Sequence, residues 1–438
     1  MSDRWLHAWG LASVGLGGAS LIIPLYAVEL GGGPVTLGVL AAVAPLAGAP
    51  GALGIGWLAD RTGRRRGYVL GAIGVVAVAL AAVPAVESIP AVIVANAAIW
   101  FAFAAAGPVL TLLAVVGAPE RAWSDRIARL NEWQGIGWAV GLLVGFLVLV
   151  VGERLVNLSP LAAQRAVCVA CAASVGLGSV VATRTLPADP DGTLPAPRRI
   201  RRAIREASRF SVRGATFPFT PRRVDVRGLH PRRFVRRFTT ELAVFFVAVV
   251  LVFAGFGAFF APVPAYLASA GVGTDGAFGL YLVLNVAAAG FFRAAAALAA
   301  RYEVTVVNAG GLVIRGIALP AVALTSGALA PIALLFGVIG LSWAVIVVSA
   351  GTLVTRLSPP IVRGEALGVY SALSVLAGGV GSVGGGWLAA TTGYVGAFAV
   401  AGGLVLVGAA VVLSLRRRGE ARPSADTERT VYSADRTE

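Results

Sequence analysis

The sequence predicts an all-α integral membrane protein with twelve transmembrane helices in two pseudo-symmetric six-helix bundles. Composition, the spacing of apolar runs and the placement of arginine carry that reading. Of 438 residues, 58% are apolar and only 13% charged, where a soluble domain carries about 25% charged residues. A water-soluble fold of this size has no way to hide so much apolar surface. The same composition excludes a disordered chain and a collagen-like fibre.

A helix that crosses about 30 Å of hydrocarbon needs about 20 apolar residues. Runs of that kind fall at 9–30, 36–58, 67–86, 91–116, 133–152 and 166–183, and then at 240–268, 275–299, 304–325, 331–355, 366–389 and 394–415. They are too long and continuous for the strands of a barrel, the other structure that satisfies its backbone in lipid. The first run follows Arg4 and continues to Leu30 with no clear cleavage site, which predicts an uncleaved span rather than a leader.

Arginine supplies the orientation. The chain has no lysine, so all 36 basic residues are arginine. With both termini inside, 17 arginines fall on the inner side outside the central loop, 15 in the loop from Arg184 to Arg237, two outside (Arg154 and Arg165) and two within spans (Arg293 and Arg315). That asymmetry predicts a multi-pass protein of the cell membrane with both termini cytoplasmic, set against an anionic inner leaflet. The net charge of +15 therefore reflects topology and not a nucleic-acid partner. Without lysine there is no Walker A phosphate loop and no Schiff-base cofactor.

The expected domains are an N-terminal bundle (1–183), a basic cytoplasmic linker (184–238), a C-terminal bundle (239–415) and a disordered cytoplasmic tail (416–438). Within the linker, Ile200, Ala203, Ile204 and Phe210 stand near helical spacing among arginines, which fits either a helix on the membrane surface or a solvated linker. The halves resemble each other at a shift of 240 residues. Pro24 and Tyr26 match Pro264 and Tyr266, Gly31 and Gly33 match Gly271 and Gly273, Leu58-Ala59-x-Arg61 matches Leu298-Ala299-x-Arg301, and Gly141 and Gly145 match Gly381 and Gly385. Duplicated six-helix halves are a transporter architecture.

At the inner end of the second span stands Gly56-Trp57-Leu58-Ala59-Asp60-Arg61-Thr62-Gly63-Arg64-Arg65-Arg66, and Ala296 to Glu303 holds a degenerate second copy. The first copy resembles the loop 2–3 motif of the major facilitator superfamily, G-x-L-A-D-R-x-G-R-R. The resemblance covers residues 9–415. It implies a secondary transporter, in which Gly56, Leu58, Asp60, Arg61, Gly63, Arg64 and Arg65 form a cytoplasmic gate and Asp60 faces the start of helix 11 near Arg363-Gly364-Glu365. Physical reasoning agrees: Gly56 permits close helix approach, an acid at a span's end suits the N-terminus of a neighbouring helix, and Arg64 to Arg66 suit the anionic leaflet. Helix 5 lacks the proline of the family's antiporter branches, with Val140 and Leu142 flanking Gly141. Its glycines read as helix packing.

Ionisable groups inside a span cost about 2.5–3.5 kcal/mol each on insertion scales, which singles out Arg293 and Arg315. Arg315 is open to two readings, an anion site or a partner of neighbouring carbonyls. Asn96, Trp100, Trp138, Phe256, Asn285, Asn308, Trp343 and Tyr370 complete the predicted cavity set with Arg315, and aromatic walls with few polar groups suit an amphiphilic solute. Glu29 is the candidate for proton coupling. Cys168-x-x-Cys171 lies in an apolar run and reads as buried packing. No His/Cys/Asp cluster suggests a metal, and no cofactor or catalytic residue is expected. The expected function is export of a small amphiphilic compound by alternating access, coupled to protons, by a monomer that is not an enzyme. Uptake of a small anionic metabolite through Arg315 is the alternative, and a non-transporting membrane sensor the alternative of another class.

Overall fold

The computed structural model describes residues 4–115, 119, 122–187, 239–325, 327–359 and 363–420, leaving aside the side chains of Trp57, Asp60, Val115, Ser124 and residues 363–365 and 417–420. The expected surface helix at 200–210 lies outside the described residues, as does 421–438 of the expected tail. The described residues are almost wholly helical. In order they are α1 (Trp5–Glu29), α2 (Pro34–Thr62), α3 (Arg65–Ala82), α4 (Ile89–Val115), α5 (Trp123–Val150), α6 (Pro160–Thr185), α7 (Thr240–Ser269), α8 (Thr274–Arg301), α9 (Val304–Ala323) and α10 (Leu329–Leu357). The stretch Arg363–Glu420 turns at Gly393, whose φ of 77° breaks the helix into α11 (363–392) and α12 (394–420). That gives twelve crossings, and α12 runs five residues past the expected boundary at 415.

Helices outrun the apolar windows wherever polar residues can stay helical beyond the hydrocarbon. α5 starts at Trp123, not 133, because its first turns carry Asp125 and Arg129, an i, i+4 pair at 3.4 Å that supports an exposed helix end. α7 is broken at Ala261–Pro262 into Thr240–Phe260 and Val263–Ser269. α1 carries Pro24, the counterpart of Pro264, and stays continuous. The difference is Pro262, a second proline within one turn, which removes another backbone donor from the ladder.

Packing reveals the duplication. α1 packs on α5 and α6, α2 on α4, and α3 on α4 and α6; α8 packs on α10, α9 on α10 and on the α11–α12 stretch, and α7 on that same stretch. Each pair of the first half recurs six helices later. The α1–α2 turn and the α7–α8 turn close alike. Gly31 and Gly271 sit at φ of 87° and 76°, the left-handed region that costs glycine nothing. The amides of Gly32 and Val272 donate to Ala27 O and Leu267 O, both at 2.8–2.9 Å. Tyr26 Oη donates to Val86 O at 2.9 Å and Tyr266 Oη to Val322 O at 2.8 Å, so each tyrosine ties the first helix of its half to the end of the third.

The glycine pairs read from the sequence lie at the closest backbone crossings. A Cβ on Gly141 would collide with Val14 O, and one on Gly381 with Ala254 O, the residue 240 positions after Val14. Only glycine allows α1 and α5, or α7 and α11, to approach this closely.

Candidate transport site

Two seams join the halves, α2 with α11 and α5 with α8, and α1 also meets the second part of α7. Among the described residues, the close contacts across these seams gather at the face bearing the Gly31 and Gly271 turns. On the first seam, a Cβ on Gly38 would strike Ser382 O, and one on Gly386 would strike Pro34 O. On the second, Gly145 lies against the Phe278 ring and Gly279 against Phe146. Arg154 Nη2 donates to Asp275 Oδ2 at 2.6 Å and Gln164 Nε2 to Thr274 Oγ1 at 3.0 Å, each bond crossing between halves. Toward the opposite face, where α1 begins and α12 ends, a Cβ on Gly54 of α2 or Gly290 of α8 would meet nothing within 4 Å among the described residues.

Each half holds an aromatic cluster drawn from equivalent helices. In the first, Trp9 of α1 stacks on Phe103 of α4 at 5.4 Å, and Trp100 and Trp138 lie 6.0–6.4 Å from that ring. In the second, Phe253 of α7 contacts Phe256, Trp343 of α10 and Tyr370 of α11 at 5.4–6.3 Å. The sequence names Trp100, Trp138, Phe256, Trp343 and Tyr370 for the expected cavity, and these five rings fall in the two clusters. Trp9, Phe103 and Phe253 are not among those named, although Phe103 stands 240 residues before Trp343 and the repeat points to it. The indole nitrogens of Trp9 and Trp138 are buried without an acceptor among the described residues.

Other predicted cavity residues are placed differently. Asn96 Nδ2 donates to Leu40 O at 3.1 Å, tying α4 to α2, and Asn308 Nδ2 donates to Ser349 Oγ at 2.8 Å, tying α9 to α10. Both amides are spent on packing, because a buried amide in lipid takes the nearest partner. Asn285 donates to Tyr281 O in its own helix and keeps Oδ1 without a partner. Arg293 is exposed on α8. Glu29 is exposed at the last residue of α1, so it is no buried relay. It shares the turn face with Glu153, Arg154 and Asp275.

In the predicted gate, Gly63 caps α2 at a φ of 72° and Arg61 and Arg64 are exposed. Gly56 sits 3.7 Å by its absent Cβ from Pro108 of α4, so its close approach is to a helix of its own half. Arg65, expected at the leaflet, is buried at the start of α3 instead, with Nε lacking a partner among the described residues. Arg66 Nη2 donates to Thr183 O at the end of α6. The side chain of Asp60 lies outside the described residues.

Arg315 occupies the interior of the second half. It is 0% exposed. Nη1 donates to Ile339 O at 2.9 Å, and the guanidinium carbon lies 4.3 Å from the centroid of Phe256, 5.2 Å from that of Trp343 and 5.4 Å from that of Phe260.

A family model described as the Major Facilitator Superfamily matches residues 8–371. The chain belongs to that superfamily. Among solved structures, this superfamily member is similar in fold to a point mutant of the nucleoside transporter NupG (TM-score 0.69, 16% identity, 94% of this chain and 98% of that one). It is also similar to a bacterial homologue of the human lysosomal transporter Spinster in an inward-facing, occupied conformation (TM-score 0.70, 13% identity, 94% and 96%). A transporter of the POT family in complex with a thioalcohol-conjugated peptide is similar as well (TM-score 0.66, 12% identity, 95% and 95%). No curated protein matches the chain in sequence. The chain is thus a multi-pass membrane transporter of the facilitator fold.

Proposed function

We propose that this transporter exports a small amphiphilic compound across the cell membrane by alternating access, with protons as the coupling ion and the monomer as the working unit. The observation that carries the reading is that, among the described residues, two seams related by the pseudo-twofold join the halves at the turn face, while α1 begins and α12 ends at the other. Rocking about such seams exchanges which face is shut. With the termini cytoplasmic, as the arginine asymmetry expects, the described conformation is closed outside and opens inward.

The matched aromatic clusters support an amphiphilic solute, since they offer wide apolar contact and few hydrogen bonds. A solute that partitions into lipid re-enters the cell unaided, so a carrier is useful to it only for outward pumping. For proton coupling, the acids at the turn face serve better than Glu29 alone: Glu153 Oε1 is buried without a partner, and Asp275 holds the ion pair that joins the halves.

Flux in proteoliposomes tests the proposal. A lipophilic, polar-headed probe is expected to accumulate on the turn-face side when an inward pH gradient is imposed, and to equilibrate without it. Accumulation that is equal with and without the gradient would remove proton coupling, and accumulation in the opposite direction would remove export.

A further inference from the structure

The guanidinium of Arg315 has one edge in use and one edge bare. Nη1 is satisfied by Ile339 O, while Nε and Nη2 are buried and have no hydrogen-bond partner among the described residues. Those two nitrogens form the side-on edge of the guanidinium, where two N–H bonds point the same way. That fork matches the two oxygens of a carboxylate. Among the described residues no carboxylate pairs with Arg315, and its near neighbours are the rings of Phe256, Phe260 and Trp343. Cation–π contacts offset part of the desolvation, but they leave two donors unmet in a place where an unmet donor costs free energy.

Packing does not require a charge at this point of the fold. The buried positions of α3, namely Val69, Ala72, Ile73, Val76 and Leu80, recur with the same spacing in α9 as Asn308, Gly311, Leu312, Arg315 and Leu319, at a shift of 239 residues in this helix, one less than the 240 of the rest of the repeat. The first half therefore fills the equivalent place with Val76.

We infer that the Nε/Nη2 edge of Arg315 is a subsite for the carboxylate of an organic acid with an aromatic or alkyl body. The acid group takes the bare fork. The apolar body lies among Phe256, Phe260 and Trp343, and displaces the Phe256 ring that now covers the guanidinium. The inference rests on the transport reading and narrows its amphiphile to an amphiphilic anion.

Thermal unfolding of the purified full-length protein in nanodiscs tests it without any flux. Benzoate, phenylacetate and decanoate are expected to raise the unfolding temperature by several degrees, and the matching primary amides to leave it unchanged. Arg315→Gln is expected to abolish the effect of the acids, and Arg315→Lys, which keeps the charge but loses the fork, to weaken their apparent affinity at least tenfold. Amides as effective as acids, or an undiminished acid effect in Arg315→Gln, would overturn the subsite. So would inorganic phosphate stabilising as well as benzoate. Should Arg315→Gln not fold, the acid–amide comparison on the unaltered protein decides alone. An acid that binds at Arg315 yet never crosses a proteoliposome membrane would sink the transport reading and leave the subsite standing. Transport of a neutral amphiphile with no acid preference would do the reverse.

Discussion

The two halves share a skeleton, and besides the break in α7 they part company at a buried place. In the first half a small apolar void lies between α1, α3, α4 and α6, lined by Trp9, Leu16, Val76 and Phe103 among others. In the second half the equivalents of Leu16 and Phe103 are Phe256 and Trp343, each 240 residues later, and Arg315 stands where Val76 stood. One half leaves the space empty and the other fills it with a cation in a box of rings. The comparison separates what the fold demands from what this chain adds. The close crossings, the turns and the tyrosine ties recur in both halves and are architecture. The guanidinium occurs in one half only, at a cost in hydration that packing does not explain.

The strongest attack on the shared skeleton is Gly141→Ala beside Gly381→Ala. Each methyl would strike a backbone carbonyl of the facing helix, and backbone cannot step aside as a side chain can. Both substitutions are expected to cost about 3 kcal/mol, with equal falls in unfolding temperature. A harmless substitution in one half and a damaging one in the other would break the claim of equivalence.

The asymmetry is sharpened by exchanging the residues at the differing place. Val76→Arg puts a guanidinium into the first half, where the stacked pair Trp9 and Phe103 lines the void, and is expected to destabilise by about 2.5–3.5 kcal/mol, the insertion cost of a mid-span arginine. Arg315→Met removes the charge and keeps the bulk. It is expected to leave stability unchanged or raise it by about 1 kcal/mol, as replacing buried charge with packed apolar groups often does. Chemical denaturation in a mixed-detergent series measures both. A large loss in Arg315→Met would make the arginine architectural.

Smaller effects test the ties. Tyr26→Phe and Tyr266→Phe each remove one hydrogen bond to a carbonyl and are expected to cost about 1 kcal/mol, alike in the two halves. Arg154→Ala is expected to change stability by less than about 1 kcal/mol, since Arg154 is 70% exposed and surface pairs contribute little. Its effect should show in conformation instead. A cysteine at Ala42, buried beside the α2–α11 seam near Gly379, is expected to react several-fold faster with an impermeant maleimide added at the turn face once Arg154 is removed. An unchanged rate would mean that the pair does not hold the halves together.

How much of this was legible without coordinates depends on the range of the physics involved. Spans were legible because the bilayer imposes a length and a polarity on each, and errors fell where helices extend into water, as at Trp123. The duplication was legible because turns and close crossings need particular residues: Gly31, Gly271, Gly141 and Gly381 each meet a steric condition no other side chain meets. The site was half legible. Aromatic and charged residues in a span stand out by cost, so Trp138, Trp343 and Arg315 were found. The ties between the halves were not, because the pairing of Arg154 with Asp275 joins residues 121 positions apart and nothing local in either segment announces the other.

By itself, then, the sequence determined twelve membrane-crossing helices, their grouping in halves and the superfamily motif, since hydrophobic length, arginine bias and obligatory glycines act residue by residue. Only tertiary structure decided which polar side chains are spent on packing, at which face the described seams gather, and that Arg315 meets rings and a carbonyl but no acid among the described residues. Those outcomes depend on what each side chain finds across a helix interface, and a buried polar group takes its character from the partners that folding brings to it.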